Sequence, residues 1–102
     1  MRVFLDDLRE APAGWIRCRT PAEVIALLET GDVEELSLDH DLGLIDGERE
    51  ATGYDVLTWI ERQVATAGFR PPEMYVHSAN PVAHRRMLDA IESIARLQGS
   101  DA

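Results

Sequence analysis

Three short stretches concentrate the groups that could do chemistry in this chain. Asp6 and Asp7 follow the apolar triplet Val3-Phe4-Leu5, Asp39, His40 and Asp41 follow Leu36-Ser37-Leu38, and His77 and Ser78 follow Met74-Tyr75-Val76. Carboxylates gathered in one place repel, and some rise in pKa unless a cation sits among them. Mg²⁺ (or Mn²⁺) is the conservative guest, because it prefers oxygen ligands and uses one or two carboxylates together with substrate phosphate. Imidazoles titrate near neutrality, so His40 and His77 suit a general acid and a general base. Placed on either side of a reacting group, one histidine would activate water while the other protonates the leaving group. Taken singly, each burst fits a turn, a helix cap or a solvated acid just as well. Only their convergence argues for a site.

The elements around them decide whether they converge. Val3 to Leu5 and Met74 to Val76 read as short strands apolar on both sides, Leu36 to Leu38 as a further strand, and Trp15 to Arg19 as a more exposed one. Thr20-Pro21-Ala22-Glu23 is a capping box with proline at the first helical position, followed by Val24, Ile25, Leu27 and Leu28 and stopped near Gly31. A loop with glycines at 43, 47 and 53 leads to Thr52-Gly53-Tyr54-Asp55, a second helix start. Val56, Leu57, Ile60 and Val64 then recur at helical spacing until Gly68. Asn80-Pro81 opens the final helix, from about Val82 to Gln98, with Met87, Ile91 and Ile94 on its buried stripe. Strands alternating with helices predict one α/β domain over 1–98 with a mainly parallel sheet, followed by a short tail at 99–102. In such sheets ligands bind beyond the carboxyl ends of the strands, where all three polar bursts fall.

Composition narrows the partners. The chain has 102 residues with 45% hydrophobic and 28% charged, as expected of a globular domain. Nineteen acids against ten bases leave a net charge of −9, which argues against general affinity for duplex nucleic acid or anionic membranes. Every base is arginine, so mechanisms that need lysine are excluded. Cys18 is the lone cysteine, which rules out a disulfide framework and suits a reducing cytoplasm. No segment reads as a membrane span or signal peptide.

The words "VFLDD", "LSLDHDLG" followed by "TGYDVLTWI", and "MYVHSANP" resemble a receiver domain of two-component signalling, and more closely the cyclic-phosphate processing receiver-like family, a divergent branch. The resemblance covers nearly the whole chain. It implies a flavodoxin-like open sheet, here four strands in order 2-1-3-4, truncated relative to a full receiver. It also implies an association with RNA repair, with Asp6 and Asp7 as the acidic metal-binding pair. Asp39 would occupy the phosphoacceptor position, and Ser78 that of the hydroxyl residue after the last strand. Receivers have a fifth strand followed by a lysine that engages the phosphoryl group. This chain has no lysine, whereas His40 and His77 are groups a phosphoaspartate switch does not need.

The resulting expectation is a metal-assisted phosphoesterase acting on cyclic phosphates, either RNA 2′,3′-cyclic phosphate ends or cyclic nucleotides. Asp6, Asp7, Asp39 and Asp41 would hold the metal, and His40, His77 and Asp39 would be catalytic. Arg9, Ser78, Asn80, His84 and Arg85 would bind phosphate, since cations crowding a helix N-terminus suggest an anion nearby. Surface pairing with Asp or Glu explains Arg85 and Arg86 equally well. The alternative class is a signalling or interaction module in which Asp39 is phosphorylated or vestigial. The crossovers after the second and third strands are expected to put two helices on one sheet face. The final helix covers the other face only in part, so that face, or the edge beside it, is expected to pair with a second copy in a homodimer.

Overall fold

A computed structural model describes residues 1–46 and 49–99, with side chains over 1–40 and 52–99. The elements run β1 (Arg2–Leu5), β2 (Trp15–Cys18), α1 (Pro21–Leu28), β3 (Glu35–Leu38), β4 (Asp41–Asp46), β5 (Arg49–Thr52), α2 (Gly53–Ala67), β6 (Glu73–Val76) and α3 (Pro81–Gly99). Four strands form an open, all-parallel sheet in the order β2-β1-β3-β6, the 2-1-3-4 order that the resemblance implies. In register, Leu5 lies beside Cys18 and Leu38, and Leu38 beside Val76. One rung earlier, Phe4 lies beside Arg17 and Ser37, and Ser37 beside Tyr75.

Alternation along each strand sends these two rows to opposite faces. Val3, Leu5, Leu36 and Leu38 are fully buried in one cluster with Val24 and Leu28 of α1, Val56, Leu57 and Ile60 of α2, and Met87 and Ile94 of α3. Burying each such side chain is worth about 1.5–3 kcal/mol, which makes this layer the main source of stability. Local signals start each helix where it is needed. Thr20 Oγ1 accepts from the Glu23 amide, Asp55 accepts from the Thr52 amide, and Gly68 closes α2 at φ 65°.

Two expectations are revised. The run with glycines at 43, 47 and 53 suggests a loop, yet β4 and β5 pair antiparallel from Asp41 opposite Thr52 to Asp46 opposite Arg49. Two strands that pair with each other satisfy their backbone donors and acceptors, which glycine content alone does not reveal. The final helix does not wrap round to the second face either. It packs beside α2 and against β6, with Ala83, Met87, Ala90 and Ile94 buried. All three helices therefore form one layer, and no described helix covers the face bearing Phe4, Ser37 and Tyr75.

Candidate active site

The ladder continues one residue past three neighbouring strands. The amide of Asp6 donates to the Cys18 carbonyl at 3.0 Å, that of Asp39 to Leu5 at 3.1 Å and that of His77 to Leu38 at 2.9 Å. Asp6, Asp39 and His77 are thus adjacent at the carboxyl edge, on the face the helices leave open. One ligand-capable atom from each lies within 4.8 Å of the others.

Asp6 is almost wholly buried, at 2% exposure. Its Oδ1 accepts from the amides of Leu8 and Arg9 at 2.8 and 2.9 Å, so the loop after β1 grips one oxygen and turns Oδ2 toward the site. Burial alone would raise this carboxyl, but the Arg9 and Leu8 amides and the nearby His77 outweigh it and hold the pKa below the usual aspartate value. Arg17, on β2, braces the same loop by donating to the carbonyls of Asp6 at 3.3 Å and Asp7 at 2.9 Å.

His77 reaches back across the central strand. Its ring lies flat on Phe4, with centroids 4.2 Å apart and planes 5° from parallel, and its Nδ1 is 2.7 Å from Ser37 Oγ. Nε2 therefore faces the carboxylates, 3.2 Å from Asp6 Oδ2. That separation allows charge pairing but the direction is poor, and Nε2 has no hydrogen-bond partner among the described residues. Burial lowers the His77 pKa, and Arg9 works in the same direction, against the pull of Asp39 and Asp6. Burial thus favours the neutral imidazole, the form a proton acceptor needs.

Asp39 is set by a close approach. A Cβ on Gly53 would lie 1.9 Å from the Asp39 carbonyl oxygen, so α2 can begin here only with glycine. The Gly53 amide also donates to the His40 carbonyl at 3.4 Å, which ties the end of β3 to the start of α2.

The remaining expected residues divide. Asp7 is half-buried beside the trio in sequence, and its Oδ1 is buried without a hydrogen-bond partner among the described residues. His40 is half-buried at the same strand end. The Asp41 side chain lies outside the described residues. Ser78 Oγ accepts from the Asn80 amide, and Asn80 Oδ1 accepts from the amides of Val82 and Ala83, so Asn80 caps α3 and engages two of its N-terminal donors. His84 Nδ1 lies 3.3 Å from the Ser78 carbonyl, Arg85 pairs with Asp89 at 3.5 Å, and Arg86 sits over the Tyr54 ring. Arg9 is close enough to His77 to influence its charge. Ser37, Phe4 and Arg17 stood outside the expected site. Ser37 and Phe4 lie two residues before Asp39 and Asp6 and hence on the same face, which was the available signal.

The donor set can be tested against a cation. Two carboxylates, Asp6 and Asp39, converge, and Asp7 Oδ1, next to Asp6 in sequence, is buried without a hydrogen-bond partner among the described residues. An unpaired buried polar atom costs about 1–3 kcal/mol, a penalty that a ligand held among these groups would relieve. The residues fit a small divalent ion. A family model for the cyclic-phosphate processing receiver domain matches residues 1–93 of the chain. No match was found among curated proteins or among solved structures.

Proposed function

Since the chain belongs to the cyclic-phosphate processing receiver domain family, we propose that it is a metal-assisted phosphoesterase that opens cyclic phosphates on RNA ends or nucleotides. The observation that supports this reading best is the convergence of Asp6, Asp39 and His77 at one strand edge. Asp6 and Asp39 would hold Mg²⁺ or Mn²⁺, with Asp7 as a further oxygen donor. When bound, the ion neutralises the carboxylates and polarises the phosphoryl oxygens.

The chain's own groups move the protons. A water attacks phosphorus and gives its proton to Nε2 of His77, which burial keeps neutral. Ser37 holds Nδ1, so the ring cannot turn its other nitrogen to the water. The phosphorus–oxygen bond to one ribose oxygen breaks, and that alkoxide takes a proton from His40, leaving a phosphomonoester. Arg9 meets the phosphate from the β1 side, and Ser78 and His84 from the α3 side. A phosphoacceptor module built on Asp39 would have no lysine to engage its phosphoryl group and would leave the His77–Ser37 arrangement without a task. Melting curves test the metal part. Millimolar Mg²⁺ or Mn²⁺ raises the melting temperature because the ion binds only the folded site, and Asp39→Asn removes that rise. An unchanged wild-type curve would contradict the reading.

A further inference from the structure

Two residues back along each strand from Asp6, Asp39 and His77, the uncovered sheet face opens into a cleft of about 290 Å³ lined by Phe4, Pro12, Trp15, Glu35, Ser37 and Tyr75. Two of its lining residues touch the acid edge at His77. Phe4 stacks on His77 on one side and meets the Trp15 ring edge-on at 6.4 Å on the other, while Ser37 bonds His77 directly. At about 3.3 Å per strand residue, the Phe4–Ser37–Tyr75 row lies about 7 Å from the acid edge, a gap that a ribose bridges.

The lining has the chemistry of a flat heteroaromatic guest. Tyr75 is a large aromatic left 43% exposed, and Trp15 and Pro12 offer apolar surface facing it across Phe4. At the far end the Glu35 carboxylate accepts from the Tyr75 hydroxyl at 3.3 Å and pairs with Arg2, so an acceptor and a donor stand side by side for a polar edge. A bare phosphate or a lipid headgroup would use none of this. We propose that the cleft is a base subsite, which takes the nucleobase of a nucleoside 2′,3′-cyclic phosphate while its phosphate lies at Asp6, Asp39 and His77. The inference rests on the phosphoesterase reading for the phosphate end and adds the nucleoside.

Binding and turnover separate the two claims. In a Trp59→Phe background Trp15 is the remaining tryptophan, so its fluorescence reports the cleft. Cytidine 2′,3′-cyclic phosphate and the 2′,3′-cyclic phosphate of methyl riboside, which lacks a base, are titrated with Mg²⁺ present. The base-bearing ligand quenches Trp15 and binds roughly 5- to 100-fold more tightly, in line with stacking of one base. Tyr75→Ala, at an exposed position, removes most of that advantage, and its melting curve shows that it stays folded. Equal binding of the two ligands, or binding of neither, overturns the base subsite. So does a stable dimer in sedimentation that excludes the nucleotide, because a second copy would then own this face. Base-dependent binding without hydrolysis keeps the subsite and overturns the phosphoesterase, whereas equal binding with equal hydrolysis does the reverse.

Discussion

Ser37 Oγ and His77 Nδ1 stand 2.7 Å apart, joining the middle of β3 to the residue that follows β6. This contact fixes which imidazole nitrogen meets the carboxylates, and the account of the site depends on it. Ser37→Ala leaves a buried ring nitrogen without its partner, at a cost of about 1–3 kcal/mol in stability. It should also lower turnover by up to roughly 10²-fold, as misplacing a catalytic group does. Ser37→Thr, which keeps the hydroxyl, should restore the wild-type titration of His77 followed by NMR. A titration that is the same in the wild type and the alanine variant would remove Ser37 from the mechanism.

His77 and Asp39 have separable tasks. His77→Ala is expected to lower turnover by roughly 10²- to 10⁴-fold as a lost general base, while the Mg²⁺-dependent rise in melting temperature persists. Asp39→Asn abolishes both. Should His77→Ala abolish the metal response as well, the imidazole is a ligand and not the base.

Acid should destabilise the apo protein through His77 and Asp6. His77 has a folded pKa below its ordinary 6.5, so the unfolded chain binds more protons in the window beneath that value. Stability therefore falls as pH drops below about 6.5, levelling once the folded histidine is itself protonated. Asp6, held below its ordinary 3.8, contributes stability above that pH and loses it as pH falls through its folded value. Urea midpoints in chelator at constant ionic strength should show an acid limb starting near pH 6.5. His77→Gln should delete its upper part, and an identical limb in that variant would refute the assignment.

Gly53 is the most sensitive position for backbone packing. The methyl group in Gly53→Ala would meet the Asp39 carbonyl oxygen at 1.9 Å, so either α2 or the end of β3 must shift. Overpacking of this kind costs about 1–3 kcal/mol, and the shift should weaken metal binding beyond what the stability loss explains. A variant with wild-type melting and wild-type metal response would show that the approach is looser than described.

The sequence carried the sheet and its edge but not the wiring between strands. Three short strands ending in polar groups, with helices between them, point to a parallel sheet, the receiver resemblance implies the order 2-1-3-4, and in that order Asp6, Asp39 and His77 are neighbours. Phe4 reads as half of a strand buried on both faces. It is buried, yet by His77 and Trp15 and not by a helix, because the connection after β1 is too short to supply one. Ser37 carries no pattern of its own, and its partner lies 40 residues away. Arg17 is similar, since it acts on the backbone carbonyls of Asp6 and Asp7, which have no residue signature. Asn80 and Arg85 drew attention as phosphate ligands through their place at a helix start. In the fold that place gives them local partners, the α3 amides and Asp89.

The most direct test of the central claim is ³¹P NMR of a nucleoside 2′,3′-cyclic phosphate incubated with the protein. With Mg²⁺ or Mn²⁺ the cyclic phosphate signal should give way to that of a phosphomonoester, and chelator, Asp39→Asn or His77→Ala should each stop the conversion. A cyclic signal that persists with the folded wild-type protein and either metal, or that disappears equally fast in all three proteins, would contradict the account.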